Sequence, residues 1–183
     1  LKTKEKKLVK EQEIPSGHNS DDYIVERLEC TSHDGRMVPI TITRHKKTKL
    51  DGSAKLLLYG YGSYGSSMSP SFSSTRISLI ERDIIWVTSH IRGGMEKGMK
   101  WWKEGKLLNK KNTFEDYIAS AKFLIEKKFT SKGNIIGMGG SAGGLLMGAV
   151  VNQAPDLFLG IVMAVPFVDS LTTNLDHSLP LTV

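Results

Sequence analysis

The sequence predicts an α/β fold, a mostly parallel sheet with a leading antiparallel hairpin, and three observations carry the prediction. Lys55-Leu56-Leu57-Leu58-Tyr59, Ile84-Ile85-Trp86-Val87-Thr88 and Asn134-Ile135-Ile136-Gly137-Met138 are short apolar runs of the kind buried on both faces of a parallel sheet. A long amphipathic helical pattern separates the second run from the third. Two β-like runs flank Asp34-Gly35 nearer the N-terminus, as in a hairpin. Strands that alternate with helices imply parallel pairing through right-handed crossovers.

The elements follow in order. Residues 1–22 form a polar N-terminal segment, and the α/β domain is expected over 23–183. Tyr23 to Cys30 and Met37 to Thr43 make the hairpin, and Lys46 to Ala54 is a polar connection into the first buried strand. From about Thr113 to Lys128, Phe114, Tyr117, Ile118, Ala121, Leu124 and Ile125 recur at helical spacing, and Asn112 with Glu115 reads as a capping box. Leu145 to Val151 reads as a buried helix, and Gly160 to Val165 as a fourth strand of this layer.

At 183 residues the chain has the length of one domain, with the apolar content and charge of a soluble protein. No window approaches the roughly 18 apolar residues of a membrane span, and the charged start Leu1 to Lys7 lacks the apolar core of a signal peptide. Cys30 is the single cysteine, so no intrachain disulfide can form; a reducing, cytoplasmic compartment is the expectation. The net charge of +6 is spread over Lys4/Lys6/Lys7, Lys46/Lys47/Lys49, Lys110/Lys111 and Lys127/Lys128 without interleaved aromatics, which argues for solvated faces and against nucleic acid.

The chemistry concentrates at Gly139-Gly140-Ser141-Ala142-Gly143-Gly144, a match to the G-x-S-x-G nucleophile elbow of α/β-hydrolases. Such an elbow needs a serine at a sharp strand-to-helix turn, flanked by positions with almost no side chain. A strand before and a helix after supply that context, so Ser141 is the candidate nucleophile. The start of the following helix would aim unpaired N–H groups and a partial positive charge at a developing oxyanion, with the Ala142 N–H as one donor. A second donor is expected from the loop after an earlier strand, here Tyr59-Gly60-Tyr61-Gly62-Ser63-Tyr64-Gly65. A tyrosine hydroxyl there can replace a backbone N–H, although tyrosines in such turns also serve simple packing.

No base declares itself. His90 ends a strand but precedes the serine, against the order Ser, Asp/Glu, His of this fold. His177 with Asp176 or Asp169 has the right order, yet too few residues follow Ser141 to build the remaining strand and helix units. His18, His33 and His45 show no metal-ligand spacing, and neither Gly93-Gly94 nor Gly62-Ser63-Tyr64-Gly65 opens a nucleotide-binding pattern, so no metal or cofactor is expected.

Leu58 to Gly65, Arg92-Gly93-Gly94-Met95-Glu96-Lys97-Gly98, Lys111 to Tyr117 and Gly139 to Gly144, in this order and at this spacing, resemble the prolyl oligopeptidase family of serine peptidases. Gln12 to Gly17, Val165-Pro166-Phe167-Val168-Asp169 and Leu179 to Val183 are similar to its oligopeptidase B branch. The resemblance implies an α/β-hydrolase fold with Ser141 as nucleophile, Ala142 as backbone donor and Tyr61 as oxyanion hydroxyl, and cleavage of short peptides after Arg or Lys without a cofactor. It also implies a β-propeller before this segment, and a triad aspartate, a triad histidine and the acidic residues that hold a basic side chain after Val183. The chain would then be part of a catalytic domain, truncated before the last strands and inactive alone. At two positions where the family often places acidic residues this chain has Ser69 and Ser71. Two alternatives stand beside this reading: a non-catalytic remnant or split-protein half that associates with another chain or with itself, and a small carboxylesterase, which shares the elbow but not the Arg92-Gly93-Gly94 or Asn112-Thr113-Phe114 segments.

Overall fold

A computed structural model describes residues 4–11, 13–14 and 17–179. Of the segments that carry the resemblance, Gln12, Pro15, Ser16 and residues 180–183 lie outside the described residues.

The hairpin forms as expected. β1 (Tyr23–Thr31) and β2 (Met37–His45) pair antiparallel from Tyr23↔His45 to Thr31↔Met37, closed by a Gly35 N–H to Ser32 carbonyl bond of 3.0 Å. The apolar runs become β3 (Lys55–Tyr59), β4 (Ile84–Ser89) and β5 (Ile135–Gly140), followed by β6 (Phe158–Ala164). Leu56, Leu57 and Leu58 of β3 are all buried, as a strand covered on both faces requires. One six-stranded sheet results, in the order β1-β2-β4-β3-β5-β6. β2 meets β4 antiparallel, whereas β3–β4, β3–β5 and β5–β6 are parallel.

From β3 the chain crosses to β4 on one side and then returns to β5 on the other. Strand order therefore reverses at β3, and the carboxyl ends of β3 and β5 diverge around a crevice, the place where open α/β sheets bind ligands. Tyr61 lies just past β3 and Ser141 just past β5.

The long helix α3 (Lys111–Glu126) starts and ends two residues earlier than its periodicity suggests. The Asn112/Glu115 capping box does not form. Lys110 already has helical backbone angles as it leaves a 3-10 turn at Leu107–Asn109, so Asn112 sits inside the helix and donates through Nδ2 to the Glu104 carbonyl at 2.9 Å. One face of α3 buries Thr113, Asp116, Tyr117, Ser120, Ala121 and Leu124, the i, i+3, i+4, i+7 spacing of a core helix. The Tyr117 hydroxyl donates to the Leu58 carbonyl at 2.6 Å, and burial pushes its pKa up.

α1 (Ser74–Ile80), α2 (Met99–Lys103) and α5 (Ser170–Leu175) are too short to show a period. Cys30 is buried in the central core with Ile40, Leu58, Val87, Tyr117 and Leu146, and that burial raises its thiol pKa. Among the described residues, no helix is long and apolar enough to cross a membrane, and no group of three His, Cys, Asp or Glu could hold a metal ion.

Candidate active site

Ser141 stands between the last residue of β5 and the first of α4 (Ala142–Gln153) with φ 54° and ψ −118°, backbone angles that a residue with a side chain adopts only under strain. The strain is held by hydrogen bonds on both sides. The Ser141 N–H donates to the Ala164 carbonyl of β6 at 2.9 Å, while the Ser141 carbonyl accepts from Gly144 at 2.8 Å and Phe167 at 3.0 Å. These bonds turn the side chain out of the sheet into solvent; Ser141 is exposed and Ala142 buried.

Packing explains the small neighbours. A Cβ on Gly139 would lie 2.3 Å from the Gly143 carbonyl oxygen, and one on Gly143 would lie 2.9 Å from the Gly60 carbonyl oxygen. The first turn of α4 thus presses directly on the ends of β5 and β3. Ala142, as the first helical residue, has no intrahelical acceptor for its N–H, and the helix adds the positive end of its dipole.

The loop after β3 brings the second group. Gly60 N–H donates to the Met138 carbonyl of β5 at 3.1 Å, which sets Tyr61 beside the elbow. The Tyr61 phenol stands near enough to the Ser141 side chain for the serine to act on its titration. Burial, together with the neighbouring Tyr64 and Tyr59 hydroxyls, raises the phenol's pKa and outweighs the opposite pull of Ser141. A protonated phenol therefore stands next to the serine as a hydrogen-bond donor.

The remaining candidates fall elsewhere. His90 is buried against two other partners, with Nε2 2.8 Å from Thr41 Oγ1 and Nδ1 3.5 Å from Glu96 Oε1. Glu96 in turn accepts from the Met68 N–H at 2.8 Å. His90 thus takes a structural place. Asp169 caps α5 through the Thr172 N–H at 3.2 Å, and Asp176 accepts from the Ser178 hydroxyl at 2.6 Å and its N–H at 2.9 Å, which hold its carboxyl below the usual range. His177 is exposed. Near the N-terminus His18 stacks on Tyr23, His33 approaches the Ser32 hydroxyl, and His45 accepts from the Lys47 N–H at 3.0 Å. None of the hydrogen bonds of these histidines goes to Ser141. Ser69 and Ser71 are exposed.

Two supports escaped the sequence reading. Arg92, itself buried, donates to Asp116 of α3 through Nε at 2.8 Å and Nη2 at 2.6 Å, and also pairs with Asp34 in the hairpin turn. Lys110 donates to the Gly62 carbonyl and the Ser63 hydroxyl, inside the Tyr61 loop. Nothing in the spacing of these residues signals their contact. Arg92 lies in a segment that carries the family resemblance; Lys110, expected on a solvated face, is instead partly buried against the Tyr61 loop because its ammonium finds acceptors there.

The profile of the prolyl oligopeptidase family matches residues 70–183. The chain is 46% identical over 182 residues to dipeptidyl aminopeptidase BI of Pseudoxanthomonas mexicana, covering 99% of this chain and 25% of that protein. It is likewise 46% identical to Protease 2 of Moraxella lacunata, covering 100% of this chain and 26% of the relative. The solved structure of oligopeptidase B from Leishmania major superposes with a TM-score of 0.91 at 45% identity, over 95% of this chain and 24% of the other. Oligopeptidase B from Trypanosoma brucei, solved with covalently bound antipain, superposes with a TM-score of 0.92 at 42% identity, over 97% and 25%. The chain therefore spans about a quarter of the length of these relatives.

Proposed function

This chain belongs to the prolyl oligopeptidase family, and from that membership we propose that Ser141 is the nucleophile of a serine peptidase with Tyr61 and Ala142 as its oxyanion donors. One observation carries the reading: Ser141 holds φ 54° and ψ −118° at the β5–α4 turn with the Tyr61 phenol beside its side chain. Ser141 Oγ attacks the scissile carbonyl carbon as its proton passes to a base, and the carbonyl π pair moves onto oxygen. The Tyr61 hydroxyl and the Ala142 N–H stabilise that oxyanion. Its collapse expels the amine, which takes the proton from the base, and leaves an acyl-serine for water to hydrolyse.

The substrates proposed are short peptides cleaved after Arg or Lys, on the likeness to oligopeptidase B. By the same resemblance the base and its aspartate come from polypeptide beyond Val183. A fluorophosphonate added to the full-length gene product should leave one adduct on Ser141, absent in Ser141→Ala, as read by intact mass and peptide mapping. The 183-residue chain alone should react about 10⁴–10⁶-fold more slowly, the loss that removal of a triad member brings. A folded full-length product that takes no adduct at Ser141 overturns the reading.

A second reading is favoured by β6. This edge strand exposes Leu159, Val162 and Met163, and the segment after it exposes Val165, Val168 and Leu171. Such an edge pairs with further chain. If the chain serves as half of an associating pair, it self-associates or binds a complementing chain; a monomer at micromolar concentration in sedimentation, with one cooperative unfolding transition, speaks against that.

A further inference from the structure

Lys110 closes the 3-10 turn at Leu107–Asn109 and directly precedes α3. Its ammonium donates to the Gly62 carbonyl at 2.6 Å and the Ser63 hydroxyl at 2.8 Å, while among the described residues no carboxylate forms an ion pair with it. Burial pulls its pKa down to about 8. A partly buried cation without a countercharge is a standing cost to the fold, so what its donors hold becomes the question.

They hold the two residues that follow Tyr61. Gly62 has φ 69°, and a Cβ there would lie 2.4 Å from Thr113 Cγ2 of α3. Its carbonyl is wedged against Gly93, where a Cβ would lie 2.0 Å from the Gly62 oxygen. Beyond it, the Gly65 N–H donates to the Gly93 carbonyl at 2.9 Å and the Ser66 N–H to the Ser63 carbonyl at 3.0 Å. The peptide after Tyr61 is thus enclosed by backbone on one side and by the Lys110 ammonium on the other.

We propose that Lys110 is a positioning residue for the oxyanion site: its two hydrogen bonds fix the peptide after Tyr61 and so keep the phenol within reach of Ser141. The proposal rests on the reading of Tyr61 given above. It is tested by phosphonylation rates of the full-length gene product carrying Lys110→Met, Lys110→Arg, Tyr61→Phe or Lys110→Met with Tyr61→Phe, together with hydrogen exchange of residues 60–66. Lys110→Met slows labelling roughly tenfold, the loss of charge-assisted hydrogen bonds. Lys110→Arg, which keeps a cation there, recovers part of the rate. In a Tyr61→Phe background Lys110→Met adds little, and the Gly65 and Ser66 amides exchange faster while that of Ser141 does not. Equal slowing in both backgrounds shows a general structural effect and overturns the proposal, as does an unchanged rate with unchanged exchange. If Lys110→Met does not fold, Lys110→Arg carries the same comparison. Faster loop exchange in a protein whose Ser141 takes no adduct supports the clamp and overturns the functional reading instead.

Discussion

Tyr61→Phe is expected to slow phosphonylation of Ser141 in the full-length gene product about 10²–10³-fold, the effect of deleting one oxyanion donor. The substitution removes one hydroxyl and little else. The Tyr61 ring lies tilted on Tyr64 at 6.5 Å between centroids, a packing contact that phenylalanine keeps. The unfolding transition should therefore hardly move. Because burial raises the phenol's pKa, the hydroxyl stays protonated through and above neutral pH, and the loss should not depend on pH there. The remaining donor, the Ala142 N–H, is backbone and survives, so the rate should fall without vanishing as it does in Ser141→Ala. A Tyr61→Phe rate within about twofold of wild type would remove Tyr61 from the site, since a lost oxyanion donor costs far more than that.

Asp116→Ala should destabilise the chain by about 3–5 kcal/mol, because removing the buried partner leaves the Arg92 charge with only the surface carboxylate of Asp34. Arg92 and Asp116 are both buried and joined by two side-chain hydrogen bonds, and the Arg92 N–H also donates to Asp116 at 3.0 Å. Burial alone would lower the Arg92 pKa, yet Asp116 and Asp34 together push it up, so the guanidinium keeps its charge. Urea denaturation of the chain measures the change, and a double variant Arg92→Met/Asp116→Met should recover much of it. A single-variant loss below about 1 kcal/mol would fall in the range of exposed pairs and show the site to be wetter than its burial implies.

Asp34 adds a pH signature to the same network. Burial pushes its carboxyl up, but the Arg92 hydrogen bond and charge outweigh this and hold it below the ordinary value of 3.8. Its contribution is therefore complete above that ordinary value and fades as pH falls through the lower folded one.

Much of this architecture was legible in the chain. The β3, β4 and β5 runs declared themselves because a strand buried on both faces must be apolar at every position, and α3 because one helical face must be. The elbow was legible because close packing of β5, α4 and the loop after β3 leaves no room for side chains at Gly139 and Gly143. The capping box failed at Asn112 because the preceding turn already supplied helical geometry, so no cap was required. α1, α2 and α5 passed unread, being no longer than seven residues each.

The sequence by itself determined the strands, the long helix and the serine at its turn, since each follows from backbone angles and burial periods set by residues a few positions apart. Only the tertiary structure decided that His90 is buried against Thr41 and Glu96, that Arg92 reaches Asp34 58 residues away, and that Lys110 reaches Gly62 48 residues away. Those contacts depend on the reversal of strand order at β3, which brings loops distant in sequence to one end of the sheet, and no local periodicity encodes which side chains then touch.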